Sequence, residues 1–142
     1  MPHRTEYAVT WGDTDAGGLI YYPRFFHFVI VGLNDYFAPA VDGAHPMEWL
    51  RTGGLTLPAV DASASFESPL RAGDAIVIET EVVDFGEASV TVAFAVERRS
   101  NGERTASGEV TFVLVDDQWE ATPLPDAFRA CVGQRGDLDE GL

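Results

Sequence analysis

The chain contains no lysine. Its nine basic side chains are all arginine and stand against 23 acidic residues, for a net charge of −14. A field of that sign repels nucleic-acid phosphates and anionic lipid headgroups, and binding either would need a local basic patch. The only adjacent basic pair is Arg98 and Arg99, so neither nucleic acid nor membrane is expected as a partner. Cysteine is almost as scarce. Cys131 stands alone, which excludes an internal disulfide, a Cys-x-x-Cys metal framework and a redox pair. Long apolar runs are also missing: residues 25–33 are the most apolar stretch, interrupted by His27 and far short of the roughly 20 residues that span a bilayer. The opening MPHRTEYAVT alternates like a strand and lacks the layout of a signal peptide. These absences together predict a soluble, cytoplasmic protein.

The acidic excess itself reads as a halophilic acidic surface, one that tolerates its self-repulsion where salt screens it. A length of 142 residues suits one domain that buries roughly two-thirds of its unfolded surface. We expect that domain over 1–132 and an acidic, flexible tail over 133–142, where glycines and acids replace apolar residues.

Tyr7, Val9 and Trp11 alternate with polar or small neighbours, so residues 5–11 are expected as a half-buried strand, ended by a turn over 12–18. Pro23 fits the first position of a helix, and residues 24–38 follow without an internal proline until Pro39. The helix is apolar on nearly every side (Phe25, Phe26, Phe28, Val29, Ile30, Val31, Leu33), so the fold or a partner chain must wrap it. Residues 41–54 read as loop around a short helical turn at 47–50, with Trp49 as either a pocket lid or a cover for the helix end. Beyond Leu55 the pattern is strand and turn: 57–66, 75–85, 90–99 and 104–115, separated by turns rich in Gly, Pro and Asn. A short helix is expected at 126–131. One strand, one buried helix and four long strands make an α+β fold in which a curved antiparallel sheet of five or six strands wraps a long central helix. Open edge strands favour pairing with a second copy, and a homodimer or homotetramer is expected.

The densest chemistry lies in WGDTDAGGLIYYP, residues 11–23. Asp13 and Asp15 precede a glycine turn and the start of the helix. An ionised carboxylate there can attack an activated carbonyl or take a proton from an attacking water. Helix-start amides and the positive end of the helix dipole can stabilise the resulting oxyanion. Pro23 has no N–H, which leaves the amide of Tyr22 as the natural donor, and Gly17 and Gly18 allow close approach of a ligand. Spacing alone leaves two other readings open. Asp-x-Asp pairs also cap helices and form turns, and paired acids can hold Mg or Ca, although no further oxygen ligands are in sight.

The block WGDTDAGGLIYYPRFF, continuing to NDYF, resembles the N-terminal signature of the 4-hydroxybenzoyl-CoA thioesterase family. The likeness continues through SASFESPLRAGDAIVIETEV and ASGEVTFVLVD. The resemblance implies the hotdog fold and hydrolysis of an acyl-CoA, with Asp15 as nucleophile or general base, the Tyr22 amide as oxyanion donor and Asp13 as a structural acid of the loop. It implies an active site at a dimer interface, no metal and no cofactor, coenzyme A entering only as part of the substrate. The Tyr-Pro pair at 22–23 matches the aromatic-acyl branch. In that branch the turn between the middle strands is basic and helps hold the nucleotide phosphates, whereas Gly86, Glu87 and Ala88 stand there in this chain. Arg98 and Arg99 are candidates to replace it, the other reading being a solvated hairpin end next to Asn101 and Gly102; Arg71 is a further candidate, and Phe25 is an expected pocket residue. His27 reads as a packed helix histidine, and His3 and His45 as loop residues without a role. The alternatives to a thioesterase are a hotdog dehydratase or hydratase and a non-catalytic acyl-binding module.

Overall fold

The computed structural model describes residues 2–134. Five strands form one antiparallel sheet: β1 (His3–Ala8), β2 (Ala59–Phe66), β3 (Ala75–Phe85), β4 (Ser89–Arg98) and β5 (Arg104–Val113). They lie in the order β1-β3-β4-β5-β2. The two middle hairpins follow from their turns, and Gly102, with φ of 70°, takes the left-handed corner of the β4–β5 turn at little cost. Period-two burial is cleanest in β4, where Val90, Val92, Phe94 and Val96 all point to the core.

The helix crossing that face is α1 (Phe25–Phe37), extended at its start by a 3-10 turn at Tyr22–Arg24 and at its end by another at Ala38–Ala40. Phe25, Phe28, Val29, Leu33, Tyr36 and Phe37 form its buried stripe at helical spacing. Gly32 lies on the same stripe, where a Cβ would stand 2.5 Å from Thr80 Oγ1 and 2.9 Å from Ile78 Cγ2 on β3. Only glycine lets helix and sheet approach so closely there. The opposite side of α1 is less wrapped than its apolar sequence suggests, and Ile30 reaches the surface of the single chain. This is the hotdog arrangement that the resemblance implies.

Several boundaries differ from the sequence reading. The first strand begins at His3 and ends at Ala8, because the chain turns at Trp11–Asp13 to bury Asp13. His3 is therefore a strand residue bonded to Asp35 of α1 (2.6 Å). The helical turn near Trp49 is a full α2 (Pro46–Thr52), and His45 caps it by accepting from the Glu48 N–H. Trp49 covers the helix end rather than a pocket: its ring lies against Phe128, which stacks on Phe37 at the last turn of α1. Phe128 belongs to α3 (Asp126–Gln134), which continues past the expected domain end at 132. Residues 133 and 134 are thus helical, and the rest of the expected tail lies outside the described residues.

Candidate active site

The two aspartates separate completely. Asp13 is 0 % exposed and every side of its carboxylate is occupied. Oδ2 accepts from the Thr10 N–H (2.9 Å), the Thr10 hydroxyl (3.0 Å) and the Tyr7 hydroxyl (3.1 Å). Oδ1 accepts from Arg24 Nε (2.9 Å) and Nη2 (2.6 Å). Burial alone would raise the pKa of this group, but the Thr10 amide, the Arg24 guanidinium and the two hydroxyls together hold it below the ordinary carboxylate value. Burial and the hydrogen bond to Asp13 raise that of Tyr7. Asp13 also accepts the Tyr21 N–H on its main-chain oxygen (2.9 Å). It is the pin that fastens β1, the loop and the helix start to one another.

Asp15 is exposed, and among the described residues no cation pairs with it. Its Oδ1 accepts the Gly17 N–H (2.8 Å), an Asx turn that aims the carboxylate outward. The Asp15 N–H reaches the Leu19 oxygen (2.8 Å), and Thr14 bridges Ile20, so the loop closes like a small hairpin. Gly18, with φ of 80°, makes its corner. Ile20 in turn donates to the Leu70 oxygen (2.9 Å), tying the loop to the segment that links β2 and β3.

Tyr22 opens the 3-10 turn that leads into α1. Its N–H finds no protein acceptor among the described residues, and it stands at the positive end of the helix with its side chain 65 % exposed. One loop thus carries an outward carboxylate and an unengaged helix-start amide. Gly17 and Gly18 are exposed beside them, the former with its amide committed to Asp15. No group of three or more His, Cys, Asp or Glu side chains that could hold a metal is found among the described residues.

Phe25 is buried directly behind Tyr22. Its ring meets Phe66 at the end of β2 edge-to-face (centroids 5.9 Å), and Phe66 meets Tyr22 at 6.3 Å. Phe25 and Phe66 line a small apolar cleft that reaches inward to Phe28, Leu70 and Val96. The sequence reading did not single out Phe66, although an aromatic closing a strand of small residues, VDASASF, is a visible signal.

The arginines are used differently from the sequence expectation. Arg98 bridges Asp74 (3.0 Å) and Glu103 (2.9 Å) and donates to Ser68 Oγ and the Pro69 oxygen. Arg99 pairs with Glu6 (2.7 Å). Acids of this chain therefore engage both side chains, Arg98 through Nη1 and Nε and Arg99 through Nε. The acidic Gly86-Glu87-Ala88 turn has instead gained a cation from α3. Arg129 donates to the Gly86 oxygen (3.2 Å) and the Glu87 oxygen (2.6 Å) and lies 4.9 Å over the Phe85 ring, a contact that sequence separation hid. His27 is packed between the rings of Tyr7 and Phe28.

The family model of the Thioesterase-like superfamily matches residues 9–132. Among curated proteins, a 1,4-dihydroxy-2-naphthoyl-CoA hydrolase of Prochlorococcus marinus (strain NATL2A) is 28% identical over 113 residues, covering 76% of this chain and 72% of that one. Among solved structures, a 1,4-dihydroxy-2-naphthoyl-CoA thioesterase from Synechocystis superposes with a TM-score of 0.83 at 18% identity, covering 98% of both chains. A gentisyl-coenzyme A thioesterase superposes with a TM-score of 0.79 at 22% identity, covering 92% of this chain and 99% of that one. These structural likenesses bear on the fold, while the family model spans the loop of Asp15, the central helix and strands β2 to β5. By that match the chain belongs to the Thioesterase-like superfamily.

Proposed function

We propose that this protein is an acyl-CoA thioesterase in which Asp15 is the nucleophile or general base and the Tyr22 N–H holds the thioester oxyanion. The observation that carries the reading is the division between the aspartates: Asp13 is buried and fully bonded, whereas Asp15 is exposed on the loop that leads to a helix-start amide with no protein acceptor among the described residues. With the carbonyl oxygen on the Tyr22 N–H, the carbonyl carbon faces the loop. By one route Asp15 takes a proton from water as the water oxygen bonds to that carbon. By the other, an Asp15 oxygen attacks directly and forms an anhydride that water then cleaves. Either way the C–S bond breaks, the thiolate takes a proton, and the products are a carboxylic acid and free coenzyme A.

The acyl group is proposed to be aromatic. The named relatives act on naphthoyl and gentisyl thioesters, and the wall behind Tyr22 is built of aromatic rings. A homodimer is proposed as well, since β2 is an edge strand exposed on nearly every residue. The Gly86–Ala88 turn lies at the far end of β3 from the Asp15 loop, roughly 30 Å along an extended strand. Arg129 at that turn can serve the phosphates of a thioester only across a subunit boundary.

Release of free thiol from benzoyl-, 1,4-dihydroxy-2-naphthoyl- and straight-chain acyl-CoA tests the reading. The wild type should release thiol and Asp15→Asn should be slower by at least about a hundredfold. Equal rates in the two proteins would remove Asp15 from the chemistry.

A further inference from the structure

We propose that Phe66 is the movable wall of the acyl pocket and sets which acyl groups enter it, the pocket taking the ring of an aromatic acyl chain. The inference rests on the thioesterase reading and adds to it a residue that decides specificity. The cleft behind Tyr22 is apolar on its inner sides, with Phe25 and Phe28 from α1, Leu70 from the β2–β3 connection and Val96 from β4. Its two hydroxyls are already engaged: Thr105 donates to the Val96 oxygen (3.0 Å), and Ser68 lies between Glu103 (3.2 Å) and Arg98 (3.3 Å). What remains offers contact to hydrocarbon and little hydrogen bonding.

As it stands the cleft holds at most the space of about one water molecule. An aromatic ring enters only if a wall moves. Phe25, Phe28, Leu70 and Val96 are all 2 % exposed or less, locked in the core. Phe66 is 47 % exposed in the single chain and is the last residue of β2, where the ladder to β5 ends. Its ring is held by edge-to-face contacts with Tyr22 and Phe25, each weak by itself. An entering ring can replace both contacts with its own, so the swing costs little. Because Tyr22 supplies one of them, opening happens beside the amide proposed to bind the carbonyl.

Two readouts on the intact chain test this. In the first, 4-fluorobenzyl alcohol is titrated into wild type, Phe66→Ala, Phe66→Leu and Phe66→Trp and followed by fluorine NMR. We expect Kd to fall at least threefold in Phe66→Ala or Phe66→Leu and to rise at least tenfold in Phe66→Trp. In the second, the ratio of kcat/KM for 1,4-dihydroxy-2-naphthoyl-CoA over acetyl-CoA should rise about tenfold in Phe66→Ala and fall in Phe66→Trp. Thermal unfolding confirms that each variant is folded, and Phe66→Leu replaces Phe66→Ala if the latter is not. The same Kd across the folded variants overturns the pocket assignment. Ordered Kd values in a wild type that releases no thiol from any acyl-CoA would uphold the pocket and overturn the thioesterase reading instead. Unchanged ratios in an active enzyme would overturn Phe66 as the determinant while leaving Asp15 in place.

Discussion

Replacing Asp13 by asparagine should damage the fold far more than the chemistry. The substitution keeps the shape of the side chain but turns one of two acceptor oxygens into an amide donor. If the amide faces Arg24, it meets the Nε and Nη2 donors now at 2.9 and 2.6 Å. If it faces Thr10, it meets the N–H and hydroxyl donors at 2.9 and 3.0 Å. Either orientation leaves donors unpaired in a site that is 0 % exposed on the aspartate side, at about 1–3 kcal/mol for the buried group. Loss of the charge pair with Arg24 adds to this, less than in a dry interior because the arginine side chain is 37% exposed. A total of about 2–4 kcal/mol is expected. At about 3–4 °C per kcal/mol for a domain of this size, the unfolding temperature should fall by roughly 6–16 °C, a loss that a domain holding about 5–15 kcal/mol can survive. The pH dependence supplies a control. The native carboxylate titrates below its unfolded value, so its stabilisation is complete above about pH 4 and is lost as pH falls through the folded pKa. The gap between wild type and Asp13→Asn should therefore be full at pH 7 and shrink in acid. Calorimetric scans of both proteins from pH 7 downward check this. A shift below about 2 °C at pH 7, or a gap that widens in acid, would refute the role given to Asp13.

Asp15→Asn should show the opposite pattern, with thiol release lost at least about a hundredfold and an unfolding temperature within about 2 °C of wild type, because an asparagine oxygen can keep the Gly17 bond. Gly32→Ala places a Cβ 2.5 Å from Thr80 Oγ1 and should cost about 1–3 kcal/mol, measured by urea denaturation, with Thr80→Ala restoring part of the loss in the double variant. Thr80 Oγ1 is buried without a hydrogen-bond partner among the described residues, so Thr80→Val should be neutral or mildly stabilising in the same assay. With a net charge of −14, the unfolding temperature should climb as KCl is raised from low to molar levels, and a flat response would count against a salt-adapted surface.

Much of the architecture was legible in residue order because it rests on local rules. Pro23 and Pro39 bracket the helix, the period-two pattern of β4 shows which residues face the core, and the glycine and asparagine turns set the hairpins. The loop motif was equally legible, and its resemblance to a thioesterase signature agrees with the family match over residues 9–132. Less legible were contacts between residues far apart in the chain. Nothing local to Arg98 announces that Asp74 and Glu103 will close around it, and nothing local to Glu87 announces that Arg129 will arrive from a helix some forty residues later. Residue order likewise does not reveal that Trp49 covers the helix end by way of Phe128.

The sequence by itself determined most of the elements, the net charge and the family signature, since propensity, periodicity and motif are properties of neighbouring residues. Tertiary structure alone decided how the two aspartates differ. Five donors converge on Asp13 from β1, the loop and the helix start, whereas the hairpin closure leaves Asp15 outside with one amide. Two carboxylates two residues apart are alike as sequence. Burial and hydrogen bonding, which depend on the whole fold, make one a structural pin and leave the other open to solvent.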